Sequence, residues 1–514
     1  MNRLKKSLSL ILVGAMTFSL GLTGCNSKAK PADSAATTAP SAKAGDANAD
    51  TSKPVDLVWY YIGPAAQADV GLVEAEANKY LKDKINATIK LNCLDFGSYD
   101  TKMPTKIASG ENFDILFTAN WAVNYPLNAA RGAFVDLTPM MDKYAPKTKQ
   151  LLGDTVIKGA SINGKLYAIP ANKEMAHNWV VCLNEDIVKE LNFDTSKIKK
   201  FEDLEPMLKE VKEKKPGVYP LEAVVGESPY RLLDFEKISD DNVPGAIYFD
   251  FRDTKVVNDF ETPEAKAFYN TMHKWYEAGY IRKDADTVTD YNADEKAGKI
   301  FSHIKSGKPG KAAELSLAQG VKWIQLDLTK PVATTREMNG SMQAVSKTSK
   351  NPERALMFLE LFNNDKQLNN LINFGVENKH YVKKSDNIID FAPATEGGKK
   401  SGYNPQTGWV FGNQFINYLF PTEDPQKWDK FKQFNASAKV SPLMGFNFDA
   451  EPVKTELAAI VNIKKQYFPL LETGKGNPDE VLPQMTSKMK AAGLDKVLAE
   501  MQKQVDEFNK TNKK

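Results

Sequence analysis

The sequence is short of the residues that most often announce chemistry. Among 514 residues there are three cysteines and four histidines, and His177, His273, His303 and His380 are too scattered to share the spacing of a metal site. No G-x-S-x-G, H-E-x-x-H or phosphate-cradling glycine loop occurs, so the common hydrolase, metalloprotease and nucleotide-hydrolase signatures are missing. With 65 carboxylates, a glycosidase pair is the catalytic arrangement that the sequence leaves open. Charge of one sign is scarce as well. The net charge is +3 and Arg3, Lys5 and Lys6 account for it, after which 65 basic residues balance 65 acidic ones. That balance leaves no footprint for nucleic acid. Beyond the N-terminus no apolar run is long enough to span a membrane.

The N-terminus carries the strongest local signal. Basic residues precede an apolar stretch from Leu8 to Leu22, too short for a comfortable span and of the right length for a signal peptide. It ends in Leu22-Thr23-Gly24-Cys25, which resembles the bacterial lipobox. That resemblance implies removal of residues 1–24 and a lipid on Cys25. The following stretch has almost no apolar side chain larger than alanine, so residues 25–54 are expected to form a disordered tether. The two other cysteines, Cys93 and Cys182, each sit in an apolar strand pattern. That placement favours two buried free thiols, with a disulfide between them as the other reading.

Length alone points to two or three domains. From Val55 the chain reads as strand, helix to about Lys84, strand (Ala87 to Leu94), helix (Tyr99 to Ala108) and strand (Phe113 to Thr118). This rhythm predicts a mostly parallel sheet, with ligands outside the carboxyl ends of its strands. Those ends carry Tyr60, Tyr61, Phe96, Asn120 and Trp121. The stretch Gly164 to Val188 then offers a strand, a polar crossing from Ala171 to Asn178, and a continuous apolar strand from Trp179 to Leu183. The unbroken apolar run predicts a parallel strand covered on both faces. A second crossing lies at Arg336 to Ser346, and Asn351-Pro352-Glu353 opens an apolar helix to about Phe374. Thr262-Pro263 and Asn477-Pro478 mark further helix starts.

Several segments in order are similar to extracellular solute-binding proteins of ATP-driven sugar importers: GAFVDLTPMMDKYAP, INGKLYAIP and NPERALMFLELF. The closer resemblance is to LipO-type lipoproteins with a C-terminal domain of unknown function. It rests on Phe446-Asn447-Phe448-Asp449, Val453 to Leu457, Leu471 to Gly474 and Ala491 to Val497. The resemblance implies a periplasmic-binding-protein-like (class II) α/β fold, two lobes joined by crossing hinge segments with a ligand cleft between them. Lobe one is expected over 55–172 and about 338–380. Lobe two is expected over 173–337 and about 381–514, with the family-specific helices from about 440. It further implies a monomeric receptor that binds a carbohydrate, most simply an oligosaccharide, outside the membrane and hands it to permease subunits served by an ATPase. A surface polysaccharide-degrading enzyme and a sensory co-receptor are the alternative classes.

Sugar sites need flat apolar faces and a few planar polar groups. Trp121 and Trp409 lie beside Asn and Gly at the ends of regular elements and are stacking candidates, with Trp179 a third; Trp59 and Trp275 read as core. The polar candidates are Asn120, Glu174, Asn339 and Asn413, joined by Tyr61 and Tyr230. Arg231 is either a partner for an acidic sugar or a surface cation. Asp284 to Glu295 partly mimics a calcium loop through Asp284, Asp286, Asp290 and Glu295 but has Thr289 where glycine is required, which favours an acidic surface loop. No catalytic residue, cofactor or metal ligand is expected.

Overall fold

The computed structural model describes residues 50–512 apart from positions 234, 290 and 406. Cys25 and the expected signal peptide lie outside the described residues, as does all of the expected tether before residue 50. The end of that tether is held rather than loose. Arg354 donates to the carbonyls of Asp50, Ile85 and Asn86, and the Asn86 amide donates to Thr51 O.

The first sheet begins as the sequence pattern implies. Strand β1 (Val55–Gly63) leads through helix α1 (Val70–Ile85) to β2 (Ala87–Asp95), then through α2 (Tyr99–Ala108) to β3 (Ile115–Thr118). β1 pairs in parallel with β2 from Val55↔Ala87 to Gly63↔Asp95, and with β3 at Trp59↔Ile115. The short strand β4 (Ala168–Pro170) closes one edge. The chain then crosses to a second sheet built from β5 (Asn178–Asn184), β6 (Tyr219–Glu222), β7 (Ile300–Gly307) and β8 (Trp323–Asp327), in the order β8-β5-β7-β6. Strand β9 (Met342–Val345) returns to the first sheet between β3 and β4, antiparallel to both.

The second sheet corrects the sequence reading of β5. This strand is antiparallel to both β7 and β8; only the β7–β6 pair is parallel. Its apolar run has another cause. Val181 and Leu183 face one buried cluster, and Val180 and Cys182 face a second under the opposite side. Burial of both faces produces the unbroken pattern whatever the strand direction.

The expected single helix after Asn351 is two, α3 (Pro352–Asn364) and α4 (Lys366–Phe374). Asp365 between them has extended backbone, and its carboxylate accepts the Leu368 amide at 2.9 Å as an N-cap. Phe358 and Phe362 of α3 meet Trp59 edge-on at 5.6 and 5.5 Å, and the buried indole donates to Gln343 Oε1 at 2.8 Å. This cluster centres the first core.

Residues 381–420 do not all belong with the second lobe, as the sequence reading had it. Tyr403, Val410 and Phe411 are buried in the first core. Ser341 Oγ and Gln343 Nε2, on and beside β9, both donate to Val410 O. The aromatic segment closes the open end of the first sheet, where buried carbonyls find side-chain donors.

From Lys439–Val440, which pairs in parallel with Val332–Ala333, the chain crosses a third time. It ends in α5 (Lys454–Glu472), α6 (Pro478–Ala491) and α7 (Leu494–Asn512). These helices are part of the second core. Phe468 stacks on Phe260 at 4.9 Å, and Leu482, Met485, Val497 and Met501 are buried in the same cluster. Gly474, at φ +78°, sits so close to Met272 that an added Cβ would lie 2.1 Å from its carbonyl oxygen. A terminal segment fitted this tightly is an integral layer of the lobe.

Candidate functional site

Three aromatic rings gather where the strands of the first sheet end. Phe96 follows β2, Trp121 follows β3, and Trp409 arrives on the segment that closes the sheet. Trp121 and Trp409 lie 6.0 Å apart between ring centres; Phe96 and Trp409 are 6.2 Å apart and nearly parallel, at 12°. Buried Phe117 supports both tryptophans from below. Phe96 and Trp121 are each 50% exposed, far more than the other large aromatics of this lobe. Beside them is a groove of about 400 Å³ lined by Pro64, Gln67, Phe96, Asn404, Pro405 and Trp409. A row of open, flat apolar faces flanked by amides suits a ring-shaped ligand with a polar rim.

The platform is fastened to the second crossing. The Trp121 indole donates to Gly340 O at 2.8 Å, Asn120 Nδ2 to Arg336 O at 2.8 Å, and the Asn120 amide to Asn339 O at 2.9 Å. Asn339 is buried, so its backbone serves the site by holding Asn120. The short helical turn Thr335–Met338, which supplies the Arg336 carbonyl and leads into Asn339 and Gly340, is fixed by its own capping box, in which Glu337 Oε2 accepts from Thr334 N at 2.8 Å. Its other contacts reach every crossing segment. Glu337 pairs with His177 of the first at 2.9 Å; Thr335 Oγ1 accepts the Gly445 amide and donates to Leu443 O of the third. Arg336 forks onto Asp241 of the second lobe.

Other candidates lie along the crossing and the second lobe. Glu174 is paired with Lys173 at 3.1 Å and Lys308 at 3.5 Å, and its second oxygen has no hydrogen-bond partner among the described residues. Burial opposes its charge, but the two lysines prevail and hold the carboxyl at about 2. Trp179 is half-buried under the Arg231 guanidinium at 5.8 Å, and Arg231 is itself paired with Glu227.

Three sequence candidates are not placed to meet a ligand. Tyr61 is fully buried against Trp59 and Phe411, because β1 turns that face into the core. Tyr230 packs among Phe260, Phe268, Tyr269 and Phe468, with its hydroxyl 3.2 Å from Asp259. Asn413 is spent internally: its oxygen accepts from Asn172 and Phe415, and its amide donates to Asn363 O. In the acidic loop, Asp284 is paired with Arg282 and Asp286 with Lys475, while Glu295 is buried against His303. Asp290 lies outside the described residues. Cys93 and Cys182 are buried free thiols. The sequence reading placed Phe96 at a ligand-facing strand end without carrying it into the candidate site. No local signal joins Arg336 to Asp241.

Residues 75–376, more than half the chain, match the family model described as bacterial extracellular solute-binding protein, and residues 442–510 match a domain of unknown function, DUF3502. The chain belongs to the bacterial extracellular solute-binding protein family. Over 481 residues it is 34% identical to a carbohydrate ABC transporter substrate-binding protein of Streptococcus pneumoniae, covering 92% of this chain and 94% of that one. Lipoprotein LipO of Bacillus subtilis is 22% identical over 333 residues, 60% of this chain and 64% of LipO. Among solved structures, the N-glycan transport solute binding protein NgtS of S. pneumoniae matches at TM-score 0.81 and 33% identity, over 90% of this chain and 100% of NgtS. Against NgtS in complex with Man1GlcNAc and with Man5GlcNAc the TM-scores are 0.72 and 0.69.

The hinge of this solute-binding protein contains a titratable group. Glu236 is buried beside the third crossing, where Ser441 Oγ donates to it. Burial raises its carboxyl to about 8; the Ser441 hydrogen bond opposes the shift and the Glu337 charge adds to it. Between its ordinary value of 4.5 and about 8, the folded state holds a proton that the unfolded chain has lost. Rising pH therefore costs stability across that window. Glu236→Gln removes this cost, so urea denaturation should show the variant gaining on the wild type from about pH 5 to about pH 8. Parallel stability profiles would contradict the assignment.

Proposed function

We propose that this protein captures a carbohydrate, most simply an oligosaccharide, outside the cell membrane and delivers it to the permease of an ATP-driven importer. The observation that carries the reading is the row of Phe96, Trp409 and Trp121 on the first lobe, with Phe96 and Trp121 exposed, Trp409 half-buried between them, and Trp121 tied to the second crossing. Rings spaced about 6 Å apart offer successive faces to consecutive sugar units. The glycan complexes of NgtS support the same ligand class.

On this reading the lobes close about the three crossings when a glycan binds, and the closed shape is what the permease recognises. We take lobe one as 55–172 and about 338–380 together with the stretch around Tyr403–Phe411, and lobe two as 173–337 and the remaining residues through the C-terminal helices. The receptor acts as a monomer, releases its ligand unaltered, and is held on the outer face of the membrane by a lipid on Cys25. Replacing Cys25 by serine should move the protein from the membrane fraction to the medium; retention in the membrane would exclude that anchor.

Titration calorimetry of the purified protein against neutral and acidic oligosaccharides tests the central reading. One glycan class should bind and be recovered unchanged by mass spectrometry. Trp409→Ala and Trp121→Ala should each weaken that binding about tenfold or more, equivalent to about 1.4 kcal/mol. Full affinity in both variants, or cleavage of the glycan, would refute it.

A further inference from the structure

Beside the aromatic platform stands an ion pair that links the second crossing to the second lobe. Arg336 Nη1 and Nη2 meet Asp241 Oδ1 and Oδ2 at 2.8 and 3.0 Å, a two-pronged contact. Both side chains are open to water, 61% and 53% exposed. An exposed pair of this kind contributes little to stability, so the fold gives no strong reason for it. Its position gives one. The backbone carbonyl of Arg336 receives Asn120 Nδ2, and that of Gly340 receives the Trp121 indole. The guanidinium therefore projects from the same turn that carries one end of the platform. Asp241 comes from a loop that lies near helix α5 of the DUF3502 region, where Lys464 Nζ is 3.5 Å from Asn242 Oδ1.

We propose that Arg336 and Asp241 form the hydroxyl-binding edge of the glycan site and restrict it to uncharged sugars. This rests on the receptor reading above. A pyranose stacked on an aromatic face carries its hydroxyls around its perimeter, where each must donate one hydrogen bond and can accept others. The guanidinium keeps three N–H donors beyond the two engaged with Asp241, and the carboxylate keeps free lone pairs. The pair thus supplies donors and acceptors side by side, and each partner fixes the other's orientation before ligand arrives. As a unit it is neutral. The cations around the pair have acidic partners or neighbours too: Arg231 is paired with Glu227 and Lys237 with Asp259, and Lys464 has Glu472, Asp240 and Asp241 around it. A uronate would have to compete with these carboxylates, whereas a neutral hydroxyl shares the pair.

The test is calorimetry of the full chain with Man5GlcNAc and with a linear oligouronate, for the wild type, Arg336→Ala, Asp241→Ala and Arg336→Lys. The wild type should bind the neutral glycan and not the uronate. Each alanine variant should lose about tenfold or more in affinity while its melting temperature moves by no more than about 4 °C. Arg336→Lys should fail to restore binding, because an ammonium lacks the planar fork. Full affinity in the alanine variants, a loss that tracks a fall in melting temperature, or tighter binding of the uronate would each overturn the proposal alone. Binding of neither glycan by the wild type would overturn the receptor reading and the proposal together.

Discussion

One short turn, Thr334 to Gly340, bonds the loop of Asn120 and Trp121 to the crossing segments and to the second lobe. Its three backbone carbonyls hold the loop that carries Asn120 and Trp121, and its side chains reach the first crossing, the third crossing and the second lobe. Such a turn has too few internal hydrogen bonds to be stable alone. The capping box of Thr334 and Glu337, and burial of Met338 beside Met175 and Met444, supply the missing constraint. A force on the platform is thereby a force on the hinge. Several polar groups of this turn are bonded to a different segment, so a change in the angle between lobes must rearrange more than one of them at once. That is a condition for two discrete arrangements rather than a continuum.

The architecture was legible where burial leaves a periodic mark. The apolar stripe of α1, the Thr262 and Asn477 caps, and the alternation of β1 and β2 all register local physics, and the elements form where that physics puts them. Strand direction is different. β5 is apolar on both faces because helices and loops cover both, and that cause is silent about whether its neighbours run with it or against it. The break at Asp365 was hidden for a related reason: the apolar pattern continues across it while one carboxylate caps the second helix. The ordering of residues 50–53 depends on Arg354, some 300 positions away, and composition cannot register such a contact.

That Trp121, Trp409 and Asn120 gather at the ends of the first sheet was legible because large aromatics and amides at strand ends have few structural uses there. Tyr61 looked equivalent, but one step along a strand reverses the face, and its ring is core. Asn413 and Tyr230 failed for another reason. Both are polar groups in loops, and internal partners claimed them before any ligand could. Arg336 and Asp241 lie 95 residues apart and meet only because the second crossing passes the second lobe. The C-terminal helices, whose family description assigns no function, emerge as a layer of the second core.

Closure of the two lobes on a sugar held at the platform, as proposed above, makes the molecule more compact. Small-angle X-ray scattering of the purified protein, free and saturated with the glycan that calorimetry identifies, reads that change. The radius of gyration should be smaller with glycan bound, and the compaction should be lost when Trp121 and Trp409 are both replaced by alanine. Binding with an unchanged radius of gyration would contradict closure and leave a rigid receptor in its place.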